Sequence, residues 1–228
     1  GLTQEKTVTK SDIEAYLKDP KKIETALNNA YKELNENHQK HHPEITTDYY
    51  IAENHQAENA AIMEMARKVL EKDAKDAPIT LISMEKYVQH GQLHGIIDRL
   101  DIVHEEGQEY LRVLDYKTGS YKEDKLKADS WKSLFSNPEK KYVLQTLLYC
   151  YLVEQTGLNT YKRKLMPELR FTRSLSADPH IRMNKNIVDD YQSISNDFEK
   201  ELQTKLHEIY TATSFSATDD LKVCSNSY

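Results

Sequence analysis

The spacing of apolar residues changes abruptly at Ile79, and that change limits the folds open to the chain more than any other feature. Upstream, apolar side chains recur at helical spacing. From Ile79 to Val88 (ITLISMEKYV), Gly91 to Val103 (GQLHGIIDRLDIV) and Tyr110 to Tyr116 (YLRVLDY) the chain runs instead in short segments rich in Ile, Leu and Val. These segments predict three strands, the last two joined by a turn within His104 to Glu109 that contains Gly107. Helical patterns flank this strand cluster on both sides in sequence.

Before the strands, residues 10 to 37 read as helical. Ser11 or Asp12 is placed as the cap, and Ile13, Tyr16, Leu17, Ile23, Leu27, Tyr31 and Leu34 fall at helical spacing. Asn37 to Asp48 is polar and reads as a loop, in which His38, His41 and His42 form a solvated run. A second helix is expected from about Ala52 to Lys75, with His55, Asn59, Ile62, Ala66 and Val69 on one stripe. After the strands come a polar segment with aromatics (Thr118 to Lys141) and a buried helix, Tyr142 to Thr156, ended by Gly157. An edge strand from Leu165 to Thr172 and an amphipathic helix from Val188 to Thr211 complete the order. The expectation is one α/β domain over residues 1–228: a helical N-terminal portion to about residue 76, and a core from about residue 77 with a central sheet flanked by helices.

The chain has 228 residues, with 38% hydrophobic and 30% charged. No stretch approaches the roughly 20 apolar residues of a membrane span. Cys150 and Cys224 are too few for a disulfide framework, which suits a reducing cytoplasm. The opening Gly, followed by no signal pattern, is read as marking a fragment of a longer protein. The net charge of −6 speaks weakly against a free-standing nucleic-acid binder, which usually carries a basic excess.

The chemistry concentrates on the hairpin. If its turn is centred between Glu106 and Gly107, Asp98 sits opposite Asp115. Alternation along the strand then puts Lys117 on the same face as Asp115. Two carboxylates and an ammonium thus converge at the margin of an apolar face made by Ile96, Leu100, Ile102, Leu111 and Val113. Two nearby carboxylates repel unless a cation neutralises them. A hard divalent ion such as Mg²⁺ does so with oxygen ligands and several waters, and it acidifies a water that can attack a phosphodiester. Lys117 can orient that water or stabilise the developing charge, and the Tyr116 carbonyl offers a further ligand. The bland alternative is a surface ion pair between Lys117 and either Asp.

The longer string narrows the choice. Gly95-Ile-Ile-Asp98-Arg99-Leu-Asp101, then Leu114-Asp115-Tyr116-Lys117-Thr118-Gly119, then Gln145-x-x-x-Tyr149 resembles the PD-(D/E)XK nuclease superfamily, in its RecB/AddB-type branch. The resemblance implies a restriction-endonuclease-like core with a mixed sheet. It assigns metal-binding carboxylates to Asp98 and Asp115, the catalytic Lys to Lys117, site-bordering roles to Gln145 and Tyr149, and the Glu of the preceding strand to Glu85. Many relatives carry a metal-binding His on the helix before the sheet. Here His55 stands at the very start of that helix, as a ligand or as an ordinary helix-end residue, and Glu64 and Arg67 offer no substitute. Relatives of the AddB type often clamp an iron–sulfur cluster. This chain ends Cys224-Ser-Asn-Ser227-Tyr228 and holds two of the four thiolates needed, so no cluster is expected.

The implied activity is Mg²⁺-dependent hydrolysis of DNA, with Mn²⁺ able to substitute, exonucleolytic rather than internal, in end processing for recombination and repair beside a helicase domain or subunit. The alternatives are a nuclease fold that binds DNA or a helicase partner without cutting, an interaction domain without nucleic acid, and an RNA substrate. Smaller features are read with two meanings each. Trp131 and Phe135 with Lys127, Lys132, Lys140 and Lys141 form either a DNA track or a packed loop. Arg99 touches phosphate or pairs with Asp101, and Lys162, Arg163 and Lys164 make a solvated turn. The 15 tyrosines have no evident physical reason.

Overall fold

The computed structural model of the protein describes residues 6–44, 47–48 and 55–214. The C-terminal expectations at Cys224 and Ser227 fall outside these residues. After a short strand β1 (Lys6–Val8), which has too few residues to carry a sequence signal, come α1 (Lys10–Leu17), α2 (Pro20–His41) and α3 (Gln56–Asp76). The single helix expected over residues 10 to 37 is two. Asp19 caps the second and Pro20 opens it, a position where the missing N–H costs nothing. The cap of α1 is Thr9, in a reciprocal box with Asp12, rather than Ser11 or Asp12. Nor does a loop begin at Asn37: α2 runs on to His41, with Lys40 in its last turn, where a cation complements the helix dipole.

The core is a five-stranded mixed sheet in the order β1-β2-β3-β4-β6, formed by β1, β2 (Ile79–His90), β3 (Leu93–Glu105), β4 (Gln108–Lys117) and, beyond β5 (Lys127–Ala128), β6 (Lys164–Phe171). The first four run antiparallel, and β6 lies parallel to β4 at the edge expected for it. Glu105 pairs with Gln108, so Glu106 and Gly107 form a two-residue loop, both with positive φ (49° and 80°). Such a loop matches the strand twist and fixes the register. Arg99 therefore pairs with Leu114, which sets Asp98 across from Asp115 as the sequence predicts.

Both faces of the sheet are covered. On one lies α5 (Lys141–Gln155), preceded by α4 (Trp131–Ser136) and stopped at Gly157, whose positive φ of 68° lets the chain turn back. Its Val143, Leu147, Cys150 and Leu152 pack in one cluster with Leu100, Ile102, Leu111 and Val113. Ile96, expected to share that face, is 53% exposed: beyond the left-handed Glu85 the strands change face, and Gly95 and Ile97 turn to α5 instead. A small sheet of β5, β7 (Arg182–Met183) and β8 (Asn186–Ile187) and then α6 (Ser195–Thr211) close the other end. Residues 188–194, expected to be helical, hold only a single tight turn at Tyr191–Ser193.

The opposite face holds charge rather than hydrocarbon. Arg99, Arg112 and Arg170 on three strands meet Asp101 and Glu168 on the sheet and Asp73 and Asp76 on α3. Arg112 and Asp101 are essentially inaccessible. Lys72 adds a fourth cation against Asp76, so four positive groups balance four carboxylates. A buried charge is tolerated only when paired and hydrogen-bonded, and this array meets that condition. No helix among the described residues is long and apolar enough to cross a membrane.

Candidate active site

The ends of β3 and β4 present the candidate residues. Asp98 is held by the backbone: Tyr116 N–H donates to its Oδ2 at 2.8 Å. The N–H and C=O of one strand residue point to the same side, so the Tyr116 carbonyl also faces the Asp98 side. The neighbouring carbonyl of Lys117 points the other way, to Thr172 N–H on the β6 side at 2.9 Å. Alternation turns the Tyr116 side chain to the α3 face, where Arg99 Nη1 donates to its hydroxyl at 3.2 Å.

Asp115 is buried, and its Oδ2 lies 2.6 Å from Lys117 Nζ. Burial pushes its carboxyl up, the Lys117 contact pulls it down, and the nearby Asp98 adds to the rise; the net position is above the ordinary carboxylate range. Lys117 also donates to Gln145 Oε1 at 2.7 Å, and Gln145 Nε2 donates to the Tyr149 hydroxyl at 3.1 Å. Spacing of four on α5 sets Gln145 and Tyr149 one turn apart, so one helix face carries both of these groups. Burial together with Asp115 raises the Tyr149 phenol above its usual range, which keeps it neutral.

The glycine of the β3 motif has a steric reason. A Cβ on Gly95 would lie 2.6 Å from Tyr149 Cε1, closer than atoms can pack. The two motifs, far apart in sequence, are thus two sides of one contact.

Glu85 stands on β2 where the ladder to β3 skips a pair, between Met84↔Arg99 and Lys86↔Ile97. That register puts it across from Asp98, in a left-handed conformation (φ 46°) rare for a residue with a side chain, and its side chain is exposed. His55 sits at the cap position of α3, its ring stacked on Tyr31 at 6.4 Å. The same helix touches the site region ten residues later, where Thr172 Oγ1 lies 3.4 Å from Met65 Sδ. No three His, Cys, Asp or Glu side chains among the described residues are gathered closely enough to hold a metal ion. The donors brought together are two carboxylates and one strand carbonyl. That set fits Mg²⁺, which takes one or two carboxylates and keeps several waters.

Several smaller expectations resolve to packing. Trp131 and Phe135 lie against Phe198 in the core, Lys140 is buried and donates to the Asp124 carbonyl, and Lys127 pairs with Asp124. Arg99 spends its donors on Asp101, Asp73 and Tyr116. Arg163 pairs with Glu109, as a surface turn does, and Arg67 with Glu64 and Glu71. Nearer the aspartates, Lys117, Lys125 and Lys141 surround the ring of Tyr142 at 5.0, 5.6 and 5.4 Å. Tyr142 lies three residues before Gln145 on α5, a helical spacing that marks it from sequence; nothing local marks Lys125.

Two facing carboxylates and a lysine thus stand together at the end of a mixed sheet, an acidic pair that a divalent ion can bridge beside an ammonium. Residues 6–226 match the model of the PD-(D/E)XK nuclease superfamily, and the chain belongs to that superfamily. It is also similar to one subunit of the ATP-dependent helicase/deoxyribonuclease of Carboxydothermus hydrogenoformans, 44% identical over 50 residues. That match covers 22% of the chain and only 4% of the relative.

Proposed function

We propose that the chain is a divalent-metal-dependent deoxyribonuclease, with Asp98, Asp115 and Lys117 as its catalytic centre. The observation that carries the reading is the Asp98–Asp115 pair at the sheet margin, with Lys117 Nζ 2.6 Å from Asp115 and tied to Gln145. A divalent ion held there supplies positive charge for the attacked phosphate and acidifies a water. Asp98 keeps its orientation through the Tyr116 amide, and the Tyr116 carbonyl stands on the same side for a further contact. With a divalent ion held by the aspartates, Lys117 would remain tied to Gln145, which holds its ammonium toward the charge that develops on the phosphoryl oxygens. Gln145 is fixed in turn by Tyr149. Glu85, across from Asp98, joins the acidic edge, and His55 is a further candidate ligand from α3.

DNA as substrate, and a helicase domain or subunit as partner, follow the similarity to the helicase/deoxyribonuclease relative. Mg²⁺ is the proposed ion, with Mn²⁺ as substitute, and exonucleolytic trimming of DNA ends in recombination and repair is the proposed role. The test is digestion of end-labelled linear DNA and of closed circles with Mg²⁺, Mn²⁺ or EDTA. Metal-dependent loss of linear strands with circles spared is expected. Binding without cutting in any metal would favour an inactive DNA-binding module instead.

A further inference from the structure

Beside the relay from Lys117 to Tyr149 runs a groove of about 280 Å³ that the catalytic reading leaves unused. One wall is Leu93 and His94 at the start of β3; the other is the α5 face that carries Lys141, Leu144 and Leu148. Gln145 and Tyr149 line it too, so the groove opens directly onto the groups that hold Lys117. We propose that it seats one unpaired nucleobase of the strand being cut, with Lys141 at the adjoining phosphate. The inference rests on the nuclease reading and adds a preference for single-stranded substrate at the cut.

The chemistry of the walls selects the occupant. Leu93, Leu144 and Leu148 offer apolar surface, His94 offers an exposed ring, and the exposed Lys141 supplies a cation one turn along the helix from Gln145. A nucleotide joins a flat, largely apolar ring to an anion at just such a separation. His94 is exposed, with its ring 6.0 Å from that of Tyr87, and stands at the rim of the groove. The volume lies just under that of ordinary small-ligand pockets and suits one base. A protein partner needs roughly 800 Å² on each side, far more than a slot of this size presents. A base within a duplex is stacked on both faces and cannot enter without leaving its helix.

The test compares cutting of a single strand with that of the same strand carrying one abasic site, moved position by position, by the wild type, Leu148→Trp and His94→Ala. Circular dichroism confirms that each variant is folded. One abasic position is expected to lower wild-type kcat/KM by roughly tenfold, the scale of one stacked base. Leu148→Trp, which fills the groove, should lose a similar factor on the intact strand and nothing more on the abasic one. His94→Ala, at an exposed site that does not threaten the fold, should shrink the abasic penalty. A wild type that cuts all strands equally overturns the groove and leaves the nuclease standing. So does a folded Leu148→Trp that cuts naked DNA normally and fails only with a protein partner present. A wild type that neither binds nor cuts DNA overturns both readings.

Discussion

At the scale of single residues, the site depends on contacts that tolerate little change. Gly95 is required by the ring of Tyr149 rather than by its own backbone angles, so Gly95→Ala tests the link between the two motifs. Overpacking of this kind costs about 1–3 kcal/mol. Thermal unfolding should show that loss, together with a fall in kcat as Tyr149, Gln145 and Lys117 shift in turn. Asp115 makes the opposite prediction. Its carboxyl is raised by burial, so the folded state favours the proton; the stabilisation is present at low pH and lost as pH rises through the folded value. At neutral pH the charged side chain is a cost, and Asp115→Asn should raise the melting temperature of the metal-free protein while abolishing cleavage. Mg²⁺ should stabilise the wild type, by about 2.7 kcal/mol at a hundredfold excess over its Kd, and leave Asp115→Asn unmoved. The facing of Asp98 and Asp115 was legible in the sequence because the two-residue turn sets the register. The contact that holds Asp98 was not: it comes from a backbone amide, which no residue pattern announces.

At the scale of elements, α3 is fastened to the sheet by charge. Burial alone would push Asp76 up, but Arg170, Lys72 and Arg112 outweigh it and hold the carboxyl well below its ordinary range. A carboxyl depressed in this way contributes stability above the unfolded value of about 3.9, and that contribution is lost as pH falls through and below it. Asp178, held down to about 2 by His180 and Arg182 against its own burial, adds in the same direction. Acid titration followed by circular dichroism should show α3 releasing below about pH 4, and Asp76→Asn should flatten that transition. Breaking the array at its centre is harsher: Arg112→Met leaves the buried Asp101 with Arg99 alone and takes a cation from Asp76 and Glu168, and should cost about 3–5 kcal/mol in urea unfolding. This face was hidden in the sequence. Arg99, Asp101 and Arg112 alternate with Leu and Val as a solvated strand face would, yet they are buried, because α3 brings carboxylates to meet them. The hint available was the opposite signs of Asp101 and Arg112, which the hairpin register pairs directly. Likewise Pro20 after Asp19 signals a helix start, and reading residues 10 to 37 as one helix passed over it.

At the scale of the whole molecule, the acidic balance of −6 and a role on DNA are compatible because the charge is unevenly placed. Beneath the sheet four carboxylates and four cations cancel, which leaves the net charge unchanged. On the other face, Lys117, Lys125 and Lys141 gather around Tyr142 beside the two aspartates. The order of elements followed from periodicity, and the mixed sheet from the family resemblance. Helices flanking the sheet were expected too; that one of them is fastened through buried charge is set by tertiary pairing, which a linear reading does not reach. The central claim is that Asp98 and Asp115 hold a divalent ion and that Lys117 acts on the phosphate. It is tested most directly by the single-turnover rate of DNA cleavage at saturating Mn²⁺ for the wild type, Asp98→Ala, Asp115→Ala and Lys117→Ala. The account predicts metal-dependent cutting by the wild type and a loss of at least about a hundredfold in each variant. Undiminished cutting by the Lys117 or Asp115 variant would contradict it.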